Sequence, residues 1–181
     1  KLGTVKFTKA GLYKESCAEN PDDVKMLDGV EFALYEGTDT ECENPVMTAT
    51  SVNGVVTFKD LKIGTYLVKE SKTIGDYIVD NTVYTAEVTE ANIGTYAVLN
   101  GVQDNTLIND LPRTDLKIEK VAEEDNGIKL PNSVYGLYKE NENGEEELVA
   151  KATTDSNGVL KFDGILIGTE YTIREIQAPD G

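Results

Sequence analysis

Residues 51–65 read SVNGVVTFKDLKIGT, and residues 155–169 read DSNGVLKFDGILIGT. In both, Asn-Gly divides two alternating runs, the pattern of a two-residue hairpin, because a type I′ turn needs positive φ at both central positions. The correspondence extends outward on both sides. Upstream, Phe32-Ala-Leu-Tyr35 is echoed by Tyr135-Gly-Leu-Tyr138, and GTVKFTK (3–9) by TDLKIEK (114–120). Downstream, GTYLVKE (64–70) is echoed by GTEYTIRE (168–175). The order of segments is the same in both halves. The chain is a tandem pair of one unit.

Runs such as Val55–Phe58, Thr82–Thr89 and Thr95–Leu99 are short, rich in β-branched and aromatic residues, and separated by Gly, Asn and Asp. No long stretch carries a helical period. The reading is all-β, two tandem immunoglobulin-like β-sandwiches. The first spans 1–110, a linker around Pro112 spans 111–114, and the second spans 115–181. The second has nothing matching Asp76–Asn109, so it is expected to lack its closing strand or strands.

Composition narrows the function classes. The 181 residues are 39% apolar and 7% aromatic, enough for one or two packed cores. Against 17 basic residues stand 33 acidic ones, a formal net charge of −16. Nucleic acid and anionic membrane both need basic patches, so neither is expected as a partner. Histidine is absent, which removes the usual general base and the commonest transition-metal ligand. No metal and no cofactor are expected. No DxDxDG calcium loop occurs, and acidic runs such as Asn141–Glu147 read as solvated turns. No apolar run approaches a membrane span and Lys1 opens no signal peptide, so a soluble piece of a longer mature chain is expected. Cys17 and Cys42 form no CxxC motif; a disulfide in an exported protein is the expectation, two unrelated small apolar residues the alternative.

The alternation has an unusual consequence. Val5, Phe7 and Lys9 share one face; so do Tyr66, Val68 and Glu70, and so do Leu107 and Asn109. In the repeat, Leu116, Ile118 and Lys120 share a face, as do Tyr171, Ile173 and Glu175. Each unit is therefore expected to bury a lysine and a glutamate. Ionised side chains are almost never buried without partners. One explanation is a buried ion pair with a hydrogen-bonded amide, which requires every donor and acceptor to be satisfied.

These blocks, together with the closing TLIND (106–110), resemble the Cna B-type, prealbumin-like domains of Gram-positive surface adhesins and pilins. The most specific element is Tyr-x-x-x-Glu, followed in the second copy by Ala-Pro-Asp-Gly (178–181). The resemblance implies a spontaneous intramolecular isopeptide bond. Lys9 would be the nucleophile, Asn109 the electrophile and Glu70 the acid/base; Glu175 is the equivalent glutamate, and Lys120 a crosslink lysine left without its asparagine. The chemistry is coherent. Burial pushes a lysine toward its neutral, nucleophilic amine. A protonated glutamic acid can hydrogen-bond the carboxamide carbonyl and shuttle protons. Fixing amine and carboxamide together removes up to about 7–11 kcal/mol of barrier. The reaction occurs once per molecule, so the chain is not expected to be an enzyme in the turnover sense.

The resemblance further implies an extracellular, cell-wall-anchored stalk segment whose partners are neighbouring domains of the same surface protein, a host ligand or a pilus subunit. The alternatives are a host-ligand-binding module, or a pilin whose incomplete second domain accepts a strand from another chain. LPRTD (111–115) resembles a sortase signal but has Asp115 in place of glycine, and reads as a linker. No YPKN-like pilin motif is present, which favours an adhesin stalk over a backbone pilin.

Overall fold

Strand β1, Gly3–Leu12, alternates as its sequence predicts: Val5, Phe7 and Lys9 are buried, while Thr4, Lys6 and Thr8 are half-buried. The computed structural model describes residues 1–15 and 23–179. It divides into two units, Lys1–Pro112 and Arg113–Gly181.

In the first unit β1 is followed by β2 (Val24–Met26), β3 (Glu31–Glu36), β4 (Met47–Thr50), β5 (Val55–Leu61), β6 (Gly64–Lys72), β7 (Tyr84–Val88) and β8 (Thr106–Asn109). They form two sheets. One has the order β2-β1-β5, with β8 also paired to β1; the other has the order β4-β3-β6-β7. Val5, Phe7, Phe32, Phe58, Val68 and Leu99 are buried between them. Phe7 from one sheet meets Phe32 from the other edge-to-face, with ring centroids 4.9 Å apart. That geometry suits the aromatic quadrupole and adds to the burial of two large rings.

The Asn-Gly turn behaves differently from the hairpin its sequence predicts. Asn53 and Gly54 do take positive φ, 51° and 72°. Yet β4 and β5 lie in different sheets and are joined across the turn only by a bridge between Val52 and Val55. Buried Ser51 bends the chain. Its N–H donates to the Val30 carbonyl at 2.8 Å, and its hydroxyl accepts the Val30 N–H at 3.0 Å. The turn carries the chain from one layer of the sandwich to the other. The run 95–99 also differs from expectation. It is no regular strand, and contributes single bridges from Ala97 to Val5 and from Leu99 to Ala86.

The first and last strands of this unit are neighbours. β8 runs parallel to β1, with Lys9 opposite Leu107 and Gly11 opposite Asn109. Gly11 is required for space: a Cβ there would come within 2.5 Å of the Tyr77 ring and 2.8 Å of Leu27. A side chain at 11 would displace the Tyr77 ring or Leu27, both packed in the core beside β1.

The second unit repeats part of this plan. It contains β9 (Arg113–Glu119), β10 (Val134–Glu140), β11 (Glu146–Thr153), β12 (Val159–Leu166) and β13 (Thr172–Gln177). Its sheets have the orders β11-β10-β13 and β12-β9, around Leu137, Leu160, Phe162 and Ile165. The turn at Asn157-Gly158 again passes between sheets. Because Arg113 and Thr114 pair with Leu166 and Ile165, the linker expected over 111–114 is reduced to Leu111 and Pro112. Among the described residues no strand corresponds to β2, β7 or β8 of the first unit. Among them also, no helix is long and apolar enough to cross a membrane.

Candidate functional site

Three side chains of the first unit meet in its core. β1 delivers Lys9, β6 delivers Glu70 and β8 delivers Asn109, with relative exposures of 0%, 3% and 2%. Each arrives by the same rule: apolar neighbours two residues away occupy the inward face, and the polar residue takes the next inward position. The Lys9 ammonium nitrogen lies 2.5 Å from Asn109 Oδ1 and 3.2 Å from Glu70 Oε1. It also sits 5.7 Å from the centre of the Phe32 ring. Asn109 Nδ2 donates to Glu70 Oε1 at 2.8 Å and Oε2 at 3.0 Å. The carboxamide is thus oriented with its oxygen toward the amine and its nitrogen toward the carboxylate. The expected contact of Glu70 with the carboxamide carbonyl is not made; Glu70 instead accepts from the amide nitrogen.

A second layer holds Glu70. The backbone N–H of Asp80 donates to Glu70 Oε2 at 2.7 Å. The Asp80 carboxylate accepts the Thr82 N–H at 2.9 Å and the Tyr84 hydroxyl at 2.5 Å. Thr73 Oγ1 accepts a further bond from Asn109 Nδ2 at 3.2 Å. Thr73 and Asp80 lie in the connection after β6, outside any alternating run, and strand periodicity gave no sign of them.

The electrostatics favour reactivity. Burial pulls the Lys9 amine below its ordinary value, against the opposing pull of Glu70 and, more weakly, Asp80. Burial pushes the Asp80 carboxyl up, but hydrogen bonds from Tyr84 and Thr82 and the Lys9 charge outweigh it and leave the group below the carboxylate range. Tyr84 is raised to about 12, by burial first and by its bond to Asp80 second.

The second unit corrects the expectation of a repeated buried pair. Lys120 and Glu175 do come together, at 3.2 Å, but their side chains are 30% and 32% exposed. Two partners of the buried pair, Asn109 on β8 and Asp80 in the connection before β7, have no counterparts here among the described residues. Tyr135 takes the place of Phe32, and its hydroxyl bonds Glu175 Oε2 at 2.9 Å. Hydrogen bonds from Tyr135 and Lys120 hold the Glu175 carboxyl below its ordinary value, and those from Glu175 and Tyr135 raise Lys120. Both groups are charged and wet. Lys120→Ala is expected to leave the melting transition of this unit unchanged within error, as measured by circular dichroism, since exposed ion pairs contribute little.

The expected Cys17–Cys42 disulfide lies outside the described residues, because Cys17 is not among them. Cys42 is half-buried against Ala33, Tyr35 and Leu67.

Fold and site together define the class: tandem prealbumin-like β-sandwiches, the first with a lysine, a glutamate and an asparagine converging in its core. The SpaA prealbumin-like fold domain matches at residues 19–102 and again at 114–181. The chain belongs to that family. The matched segments contain Glu70 but neither Lys9 nor Asn109, so the convergence of the three rests on the structure.

Among solved structures, the chain is similar to the Bacillus anthracis TIE protein, with 32% identity and a TM-score of 0.59, over 99% of this chain and 29% of that one. It therefore spans less than a third of that protein. More distant likenesses are a streptococcal ancillary pilin (21% identity, TM-score 0.43, 99% and 55% covered) and the shaft pilin spaA of Lactobacillus rhamnosus GG (16%, 0.41, 100% and 90%). No curated protein sequence matches significantly.

Proposed function

We propose that this chain is a structural stalk segment of a cell-wall-anchored surface adhesin or pilus protein, stiffened by a self-formed amide between Lys9 and Asn109. One observation carries the proposal: a fully buried amine lies 2.5 Å from a buried carboxamide oxygen, with one carboxylate touching both partners. Family membership and the likeness to the Bacillus anthracis TIE protein support the structural role.

In the reaction, neutral Lys9 Nζ attacks Asn109 Cγ. Glu70 accepts a proton from Nζ and returns it to Nδ2. The Cγ–Nδ2 bond breaks and ammonia departs, leaving Glu70 as it began. One bond forms, one breaks, and no cofactor takes part. The product ties the first strand to the last, so tension entering along β1 reaches β8 without loading the strands between them.

Intact mass tests the reading. The parent chain is expected to weigh one ammonia less than its sequence, and Lys9→Ala to restore the full mass. A parent at full mass would end the proposal. The pH dependence follows from Lys9. Only the neutral amine attacks, and the folded-state pKa lies below the ordinary 10.5. The rate of ammonia loss from freshly made chains is therefore expected to rise with pH and level off before pH 10.5. A rate independent of pH over that range would show that amine deprotonation does not control the step.

A further inference from the structure

The nitrogen that leaves Asn109 is held from two directions. One hydrogen bond goes to the Glu70 carboxylate, the other to the hydroxyl of Thr73 at 3.2 Å. Thr73 lies just past the end of β6, three residues after Glu70, where strand pairing has stopped and the chain returns to the same side. We propose that Thr73 is a further catalytic residue of the crosslinking reaction, binding the departing nitrogen as it becomes ammonia. This rests on the Lys9–Asn109 reading above.

The reasoning is differential binding. In the resting carboxamide, Nδ2 is planar and its lone pair is delocalised into the carbonyl. Once Nζ has bonded to Cγ, Nδ2 becomes an amine, and it takes the proton that Glu70 received from Nζ. Its N–H groups then carry positive charge and donate more strongly. An acceptor already in place gains in the transition state relative to the ground state, which is the condition for acceleration. The Thr73 hydroxyl meets that condition without accepting or releasing a proton, so the balance of the reaction is unchanged: Nζ–Cγ forms, Cγ–Nδ2 breaks, and ammonia leaves.

Burial points the same way. Lys9, Glu70 and Asn109 are enclosed, while Thr73 is half-buried, so the nitrogen's contact with Thr73 lies on its less enclosed side. In the second unit the residue three positions after Glu175 is Ala178, which has no hydroxyl.

The test compares Thr73→Val, which keeps the shape and removes the hydroxyl, with Thr73→Ser, which keeps the hydroxyl. Full chains are made in a short cell-free pulse, quenched into denaturant at intervals, and scored for ammonia loss by intact mass. T73V is expected to convert about tenfold more slowly than the parent, the effect of one hydrogen bond that strengthens in the transition state, with T73S within about twofold of the parent. Circular dichroism checks that each variant folds, and Thr73→Ala serves as a second hydroxyl-free variant if T73V does not. Conversion of the hydroxyl-free variant at the parent rate overturns the assignment, as does a T73S as slow as T73V, which would make shape the cause. A parent that never loses ammonia fails at the earlier reading and overturns both.

Discussion

Replacing Asn109 with alanine is expected to lower the melting temperature of the first unit by roughly 20–30 °C. The magnitude comes from chain entropy. A bond between Lys9 and Asn109 closes a loop of about 100 residues, and such a constraint on the unfolded chain is worth about 4–5 kcal/mol in the loop-closure model. For a unit of this size each kcal/mol shifts the transition by about 4–8 °C. Truncation at 109 also removes the hydrogen-bond partner of both Lys9 and Glu70 in a core where neither reaches water. Thermal melts followed by circular dichroism, with intact mass measured on the same samples, would check this. A drop of only a few degrees, with the parent shown to be crosslinked, would mean that the folded strands already supply nearly all of the restraint.

The second large effect is at Glu70. Glu70→Gln preserves the size of the side chain but cannot carry a proton from amine to leaving nitrogen. The rate of ammonia loss is expected to fall by about 10²–10⁴-fold, the usual contribution of a positioned acid/base. Glu70→Ala adds a structural cost, because Lys9 would lose its ionic partner while fully enclosed; an uncompensated buried charge costs about 3–5 kcal/mol. The pair of variants separates the roles. Gln should fold and fail to crosslink on the parent's timescale, while Ala should fail to crosslink and melt lower. If E70Q crosslinks at the parent rate, Glu70 is a structural partner of Lys9 and some other group moves the proton.

Much of this arrangement was legible in the sequence because strand alternation is a strong signal when one face is buried. Val5, Phe7, Val68 and Leu107 mark their inward faces, and Lys9, Glu70 and Asn109 fall on those faces by counting in twos. The same counting misled in the second unit. Leu116 and Ile118 face inward beside Lys120, but periodicity reports direction, and enclosure depends on which strands cover that direction. With no counterpart of β8 among the described residues, Lys120 remains wet.

The sequence of the Asn53-Gly54 turn predicts its backbone but not its place in the sandwich. Positive φ is a local property, whereas crossing between sheets is decided by the anchoring of Ser51 to Val30, two segments 21 residues apart. Thr73, Asp80 and Tyr84 carry no sequence signal for a related reason. Two of them sit in an irregular connection, and the third matters only through its bond to one of those two.

The parallel pairing of β8 with β1 also governs when the proposed bond can form. Asn109 belongs to the last strand and reaches Lys9 only when Gly11 stands opposite it. A slip of one position would present Ile108 or Asp110 instead and turn the carboxamide away from the amine. Under the proposed crosslink, sealing waits until the final strand has docked in its proper alignment, and a misaligned chain stays open and free to unfold and try again. Once ammonia has left, the step does not reverse under ordinary conditions. The proposed reaction would thus serve as an inspection at the end of folding, open only to copies whose last strand lies in register.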